Sequence, residues 1–289
     1  MSSAPPHRAG YVLICDKPGG MTSHDVVAAV RRTLPRKTKV GHAGTLDPFA
    51  TGLLLVLVGR ATRAQRFLMA LPKRYEVVAR FGAVSTTGDP EGEITETGRV
   101  PSEELALPVG DLRQRPPAYS AVKVSGRRAY QLAREGVSVQ LAEREVQVYR
   151  FEQLWHRGDR RRFAIECSSG TYVRSLIAGL GDAYCEQLRR TRIGDFDVAE
   201  ADAQRPVDLS AALGFLPEVR LGDADARRAA HGVAVAASAA ANPARGGIAS
   251  AFGGEWRDVV RLVGDDGLIA LARPVEGDPT LLRPIVGLR

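Results

Sequence analysis

Cysteine, methionine and tryptophan are scarce in this chain, at three, three and two among 289 residues. Cys15, Cys167 and Cys185 are odd in number and show no C-x-x-C spacing, which argues against a disulfide framework or a cysteine zinc site and fits a reducing cytoplasm. The five histidines lack metal-ligand spacing such as H-E-x-x-H, and there is no P-loop, dinucleotide fingerprint or internal repeat. Neither a metal nor a nucleotide cofactor is therefore expected. Long apolar runs are missing as well. The longest, 53–58, is far too short to span a bilayer, and the opening MSSAPPHRAG lacks the apolar core of a signal peptide, so a soluble, unexported protein is expected.

What is present is basic charge. Forty lysines and arginines against 33 acids give a net charge of +7, which makes an anionic partner plausible. Nucleic acid is the usual such partner, an acidic membrane surface the lesser one. The length allows a main domain with a small one appended.

The stretch 40–59, VGHAGTLDPFATGLLLVLVG, organises the rest. Two glycines and a proline bracket a single acid, Asp47, and Gly52 opens an apolar run that reads as a buried strand. A carboxylate is thus held on a shaped loop at the mouth of a core strand. An ordinary Asp-Pro turn would produce the same pattern.

Along the chain, 1–10 reads as a basic arm and 11–15 as a buried strand. Thr22 and Ser23 can cap a helix over 24–34, followed by the basic loop 36–39. Helical spacing recurs over 61–71, a strand follows over 76–81, and 86–92 is a turn-rich loop. A short helix broken by Pro108 is expected over 102–112, a strand over 119–124, and a basic helix over 126–135 closed by Gly136. The segments 145–155 and 161–168 alternate as a hairpin. Gly170 to Arg174 opens a helix expected to run through about Cys185, and 187–198 reads as one further strand. Strands and helices mix without a βαβ rhythm, so the main domain reads as α+β with a mostly antiparallel sheet. Composition shifts after Pro217. An alanine- and glycine-rich piece over 224–254 precedes short strands at 259–262, 268–273 and 282–286, which suggests a small β-barrel.

Five segments, in order, resemble the bacterial tRNA pseudouridine-55 synthase family, the TruB family of pseudouridine synthases. They are DKPGGMTSHDVV, GHAGTLDPFATGLL, KRYEVVARFG, RPPAYSAVKVSGRRAYQLAREG, and CSSGTYVRSLIAGLG with LRRTRIGDF. The resemblance implies a pseudouridine synthase fold with a central mixed, mostly antiparallel sheet flanked by helices, over 11–217, and a small C-terminal PUA-type RNA-binding domain over 218–289. It implies isomerisation of one uridine in the T-loop of tRNA, by a monomer without cofactors. Between Val100 and Arg115 the chain is shorter than the helical insertion of many such relatives.

By the same resemblance Asp47 is the essential aspartate, and a carboxylate there can attack the sugar carbon or remove its neighbouring C2′ proton. Arg174 is its ion-pair partner. Tyr75 stacks on the extracted uracil and assists a late proton transfer, while His42 occupies the space that the base leaves. Tyr172 and Leu188 line the pocket. Among the basic residues, Lys17, Lys123, Arg127, Arg128, Arg189 and Arg190 are candidates for phosphate contacts. Two other readings compete: a module that binds and helps fold tRNA, and a glycosidase, for which Asp47 lacks an acidic companion in its motif.

Overall fold

A computed structural model describes residues 10–102, 104–117, 119–120, 122–124, 126–135, 137, 141–236 and 258–289. The expected arm at 1–10 and the 237–254 part of the alanine-rich piece lie outside the described residues, Gly10 excepted, as does Gly136.

The chain opens with β1 (Tyr11–Lys17) and α1 (Ser23–Arg32). Thr22 caps α1 in a capping box with Asp25, so the helix starts one residue before the expected position. β2 (Val40–His42) and β3 (Thr51–Val58) flank the Asp47 loop. The helix expected over 61–71 is divided into a 3-10 turn, Gly59–Ala64, and α2 (Gln65–Ala70). β4 (Lys73–Phe81) buries every second residue, as a strand with one face on a core must. β5 (Ala83–Ser85) and β6 (Ile94–Glu96) form a small hairpin.

No helix forms over the described part of 102–112; the chain has no regular structure there until β7 (Gly110–Gln114), which finds a partner at the sheet edge. Among the described residues of the strand expected over 119–124, β8 (Lys123–Val124) alone is a strand, pairing with β9 (Arg127–Arg128), and the basic helix is correspondingly shortened to α3 (Ala129–Arg134). The hairpin of β10 (Arg144–Arg157) and β11 (Arg160–Cys167) is as expected.

The helix after Gly170 is short. α4 (Val173–Ala178) gives way at Gly179 and Gly181, and the segment expected to continue it is instead β12 (Ala183–Ile193), so Cys185 sits in a strand. Pairing along β4 supplies the backbone partners that overrule the helical pattern. Gly194, at φ 54°, turns the chain into β13 (Phe196–Asp197). Then follow β14 (Asp202–Asp208), α5 (Leu209–Ala212), β15 (Glu218–Arg220), α6 (Asp223–Ala230), β16 (Val235–Ala236), β17 (Val260–Gly264), β18 (Gly267–Val275) and β19 (Asp278–Gly287).

Ten strands build the main sheet, in the order β14-β1-β3-β12-β4-β11-β10-β7, with β2 on β3 and β13 on β12. Every pairing is antiparallel except β3 with β12, where Arg189 and Arg190 lie opposite Thr51 and Gly52. β3 is buried on both faces. Leu53, Leu55 and Leu57 pack with Phe67 and Leu68, while Leu54 and Val56 pack with Val27 of α1. Tyr75, Val77, Phe163 and Ile165 share a second core with Val173 and Leu176 of α4. The C-terminal strands curl into a five-stranded half-barrel, order β15-β17-β18-β19-β16. Its Val263, Leu268, Leu271 and Leu288 belong to the same apolar cluster as Leu53, Phe67 and Leu213, so the small sheet is packed onto the large one.

Candidate active site

The one parallel pairing of the main sheet decides where the site lies. It sets the start of β3, which follows the Asp47 loop, against the middle of β12, and β12 in turn lies against β4 so that Arg190 is opposite Tyr75. Close approach here requires glycine. A Cβ on Gly52, whose φ is 105°, would stand 2.2 Å from the Arg190 carbonyl oxygen.

Three side chains fix the Asp47 loop. Ser23 Oγ accepts from the Leu46 amide at 2.9 Å and donates to the Leu46 carbonyl at 3.3 Å. Lys17 Nζ donates to the carbonyls of Pro18, Met21 and Pro48 at 2.9, 2.7 and 3.1 Å. Arg190 donates to the carbonyls of Leu53, Thr45 and Gly44 at 2.8, 3.3 and 3.1 Å. Lys17 and Arg190, both expected at phosphates, are fully buried and spend these donors on loop and strand carbonyls, which is an internal role.

The carboxylate itself meets Arg174. Arg174 Nε lies 2.9 Å from Asp47 Oδ2, and Nη1 lies 3.2 Å from Asp89 Oδ2. The guanidinium also donates to the carbonyls of Thr87 at 2.6 Å and Tyr119 at 2.8 Å. Its side chain is 4% exposed, that of Asp89 5%, and that of Asp47 34%, so one buried cation serves two carboxylates of which Asp47 is much the more open. Burial pushes the Asp47 carboxyl above its ordinary range; Arg174 opposes this and the Asp89 charge adds to it.

Asp47 and Arg174 stand where two clefts meet. One, of about 480 Å³, is lined by Tyr75, Tyr172, Leu188, Lys73 and Arg66 as well. The other, of about 450 Å³, has His24, Thr22, Glu91 and Tyr119 on its walls. Tyr75 presents a phenol whose ionisation burial holds above the ordinary value. The Tyr172 backbone is clamped by the Gln114 amide through bonds of 2.8 and 2.9 Å. Lys73 is buried beside Arg190, donates to the carbonyls of Met69 and Leu71, and has its pKa lowered to about 7, chiefly by burial.

The structure therefore brings Asp47, Arg174, Tyr75, Tyr172 and Leu188 together. His42 is not on the wall of either cleft; it sits on β2, its ring 5.3 Å from that of His24 and its carbonyl bonded by Gln65 at 2.7 Å. Arg189 lines neither cleft and is paired with Asp16 at 2.6 Å, and exposed Arg127 is paired with Glu135. The side chains of Lys123 and Arg128 lie outside the described residues.

Asp89 was not among the expected site residues. Its signal was present, because Gly88-Asp89-Pro90 repeats the Asp-Pro form of Leu46-Asp47-Pro48. It also supplies the acidic companion whose absence argued against a glycosidase. Asp89 is, however, sealed by Arg174 and by the Thr87 hydroxyl at 2.5 Å, so it is not itself free to protonate a leaving group.

A mixed sheet carrying a buried-paired aspartate at the mouth of a cleft, with a half-barrel packed at its side, defines a pseudouridine synthase fold. A solved Cbf5-Nop10-Gar1 complex contains a chain that superposes with a TM-score of 0.67 at 26% identity, over 98% of this chain and 86% of that one. The corresponding chain of an H/ACA RNP bound to a substrate RNA containing 2'-deoxyuridine shares the fold at a TM-score of 0.66 and 24% identity. Residues 31–173 match the TruB family pseudouridylate synthase N-terminal domain. A protein of Mycobacterium bovis called tRNA pseudouridine synthase B is 40% identical over 304 residues, spanning 93% of this chain and 97% of that protein. Its counterpart in Mycobacteroides abscessus is 45% identical over 214 residues, 68% of this chain and 71% of that one. The chain belongs to the TruB family of pseudouridine synthases.

Proposed function

We propose that this protein converts uridine 55 in the T-loop of tRNA to pseudouridine, with Asp47 as the reacting group. The supporting observation is an aspartate that is open to the cleft on one side and ion-paired with buried Arg174 on the other. In the reaction the N1–C1′ bond breaks, the uracil turns, C5 bonds to C1′, and the proton lost from C5 is balanced by one gained at N1. The substrate and product have the same atoms, so no co-reactant is consumed. Attack at C1′ and removal of the C2′ proton both need ionised Asp47, which Arg174 favours against the burial that opposes it.

A base stacked inside a folded loop must first be turned out of it, at a cost of a few kcal/mol that stacking and edge hydrogen bonds offset. Tyr75 and Leu188 offer the flipped uracil a ring and an apolar wall, and Tyr172 closes the side next to Arg174. His42, on the strand that leads into the Asp47 loop, takes the space that the base leaves. Residues 11–217 form the catalytic part and 218–289 a PUA-type part that docks the rest of the tRNA. The enzyme acts as a monomer in the cytoplasm. No helix among the described residues is long and apolar enough to cross a membrane.

The test is incubation with an unmodified tRNA transcript, followed by carbodiimide adduct formation and primer extension. One new stop in the T-loop, absent with Asp47→Asn while tRNA affinity persists, is the expected result. A stop elsewhere would overturn the substrate, and tight binding without any stop would make the protein a tRNA-binding module instead.

A further inference from the structure

Positive charge is distributed very unevenly in this chain. Between Asp25 and Glu76 there are ten lysines and arginines and a single acid, Asp47. That window carries more positive charge than the net +7 of the whole protein, so the remainder is net acidic. Lys73 of this set is buried, but the residues Arg31, Arg32, Arg36, Lys37, Lys39 and Arg60 are exposed. Among the described residues no acid forms an ion pair with any of these six, whereas Arg80, Arg99, Arg150, Arg160 and Arg162, on and beside β4, β10 and β11, each have a carboxylate partner.

The exposed cations come from three segments that the backbone ties into one edge. Arg31 at the end of α1 donates to the Val40 carbonyl at 3.2 Å. The Gly59 amide donates to the Lys39 carbonyl at 2.8 Å, which sets Arg60 and the turn behind it beside the 36–39 loop. Gln65 then ties the start of α2 to His42. The edge reaches the cleft itself at Arg66, which lines it together with Asp47. At the other side Arg63 donates to the Gly287 carbonyl at 2.8 Å, next to the half-barrel.

We propose that this edge, from the end of α1 through 36–39 and Arg60 to Arg66, is a phosphate track that holds the RNA backbone leading away from the flipped uridine. The proposal rests on the RNA reading above. Phosphates are recognised by closely spaced, exposed cations without acidic partners, because each contact releases condensed counterions, whereas an arginine already paired with a carboxylate gains less. An acidic protein surface would meet the same charge, but the edge runs directly into the cleft where a nucleotide is expected. It replaces the internal Lys17 and Arg190 as the source of backbone grip.

The test compares the triple variant Arg36→Gln/Lys39→Gln/Arg60→Gln with a charge-matched control, Arg99→Gln/Arg150→Gln/Arg157→Gln, in binding of an unmodified tRNA transcript across salt concentrations. The track variant is expected to make the slope of log Kd against log salt shallower by about two to three and to weaken binding near physiological salt on the order of 10-fold or more. The control is expected to keep the wild-type slope. A track variant with the wild-type slope, or a control that loses as much, would overturn the proposal. Thermal unfolding of both variants checks the fold, and Arg60→Gln alone, expected to reduce the slope by about one, carries the test should the triple variant unfold. Pseudouridine formation by the wild-type protein is followed in the same samples. Its absence would sink the enzymatic reading, while the salt slope would still report on the track.

Discussion

Arg174 holds Asp47 at 2.9 Å from the first turn of α4, a place where the helix dipole disfavours a cation. The arrangement persists because the guanidinium has further partners: Asp89 and the carbonyls of Thr87 and Tyr119. Arg174→Lys keeps the charge and loses the planar fork that reaches all of them. Turnover is expected to fall by about 100-fold through misplacement of Asp47, with a much smaller change in tRNA affinity. Arg174→Ala leaves two carboxylates facing one another without a cation, a change of a kind that costs about 3–5 kcal/mol when a buried pair is broken. Steady-state kinetics and thermal unfolding separate the two effects.

The pH dependence follows from the direction of the Asp47 shift. Burial raises its carboxyl above the ordinary 3.8 and the reaction needs the anion, so activity should fall on the acid side with a midpoint above that value. Asp89→Asn removes a negative neighbour, and the acid limb should then move to lower pH. The stability sign is the reverse of a favourable ion pair. Below the unfolded-state value both states are protonated and Asp47 costs nothing; above the folded-state value the fold bears the full cost of the ionised group. Asp47→Asn is therefore expected to raise the thermal midpoint at neutral pH and leave it unchanged near pH 3. A lower midpoint at neutral pH would contradict the raised carboxyl.

Much of this site was legible because single residues have few physical uses in their settings. An acid between glycines and a proline ahead of an apolar run stands out even though an ordinary turn gives the same pattern, the family resemblance pairs it with Arg174, and the two meet in the fold. The exact reach of α4 was not legible, since the pattern reads as helix through Cys185, whereas 179–182 turns and pairing with β4 makes 183–185 a strand. The roles of Lys17 and Arg190 were hidden for a related reason. A cation's sequence neighbours do not show whether carbonyls surround it, and here the carbonyls of Pro48, Thr45 and Leu53 come from a loop and strand remote from both residues.

Gly52 is the backbone test of the parallel junction. At φ 105° and 2.2 Å from the Arg190 carbonyl, a methyl group forces β3 and β12 apart at the point where the Asp47 loop is anchored. Gly52→Ala is expected to cost about 3 kcal/mol or more, with an unfolding midpoint lowered by several degrees, and to abolish activity in whatever protein folds. Gly20→Ala is the matching control, because φ there is 77° while no atom lies within 4 Å of its added Cβ. Strain alone should make Gly20→Ala the milder change, and equal losses would mean that the close approach at Gly52 contributes nothing.

Lys17 separates a phosphate contact from a loop anchor. Its ammonium is fully buried, held by the Pro18, Met21 and Pro48 carbonyls, and burial lowers its pKa. Lys17→Met fills similar space but leaves those carbonyls without their donor, at a cost of about 1–3 kcal/mol. A lost phosphate contact would reduce the salt slope of tRNA binding by about one and act mainly on affinity. A lost anchor leaves that slope unchanged and lowers turnover, because Pro48 adjoins Asp47 and the carboxylate no longer meets the sugar in register. The second outcome is expected, since a cation already surrounded by three carbonyls has no counterion to release.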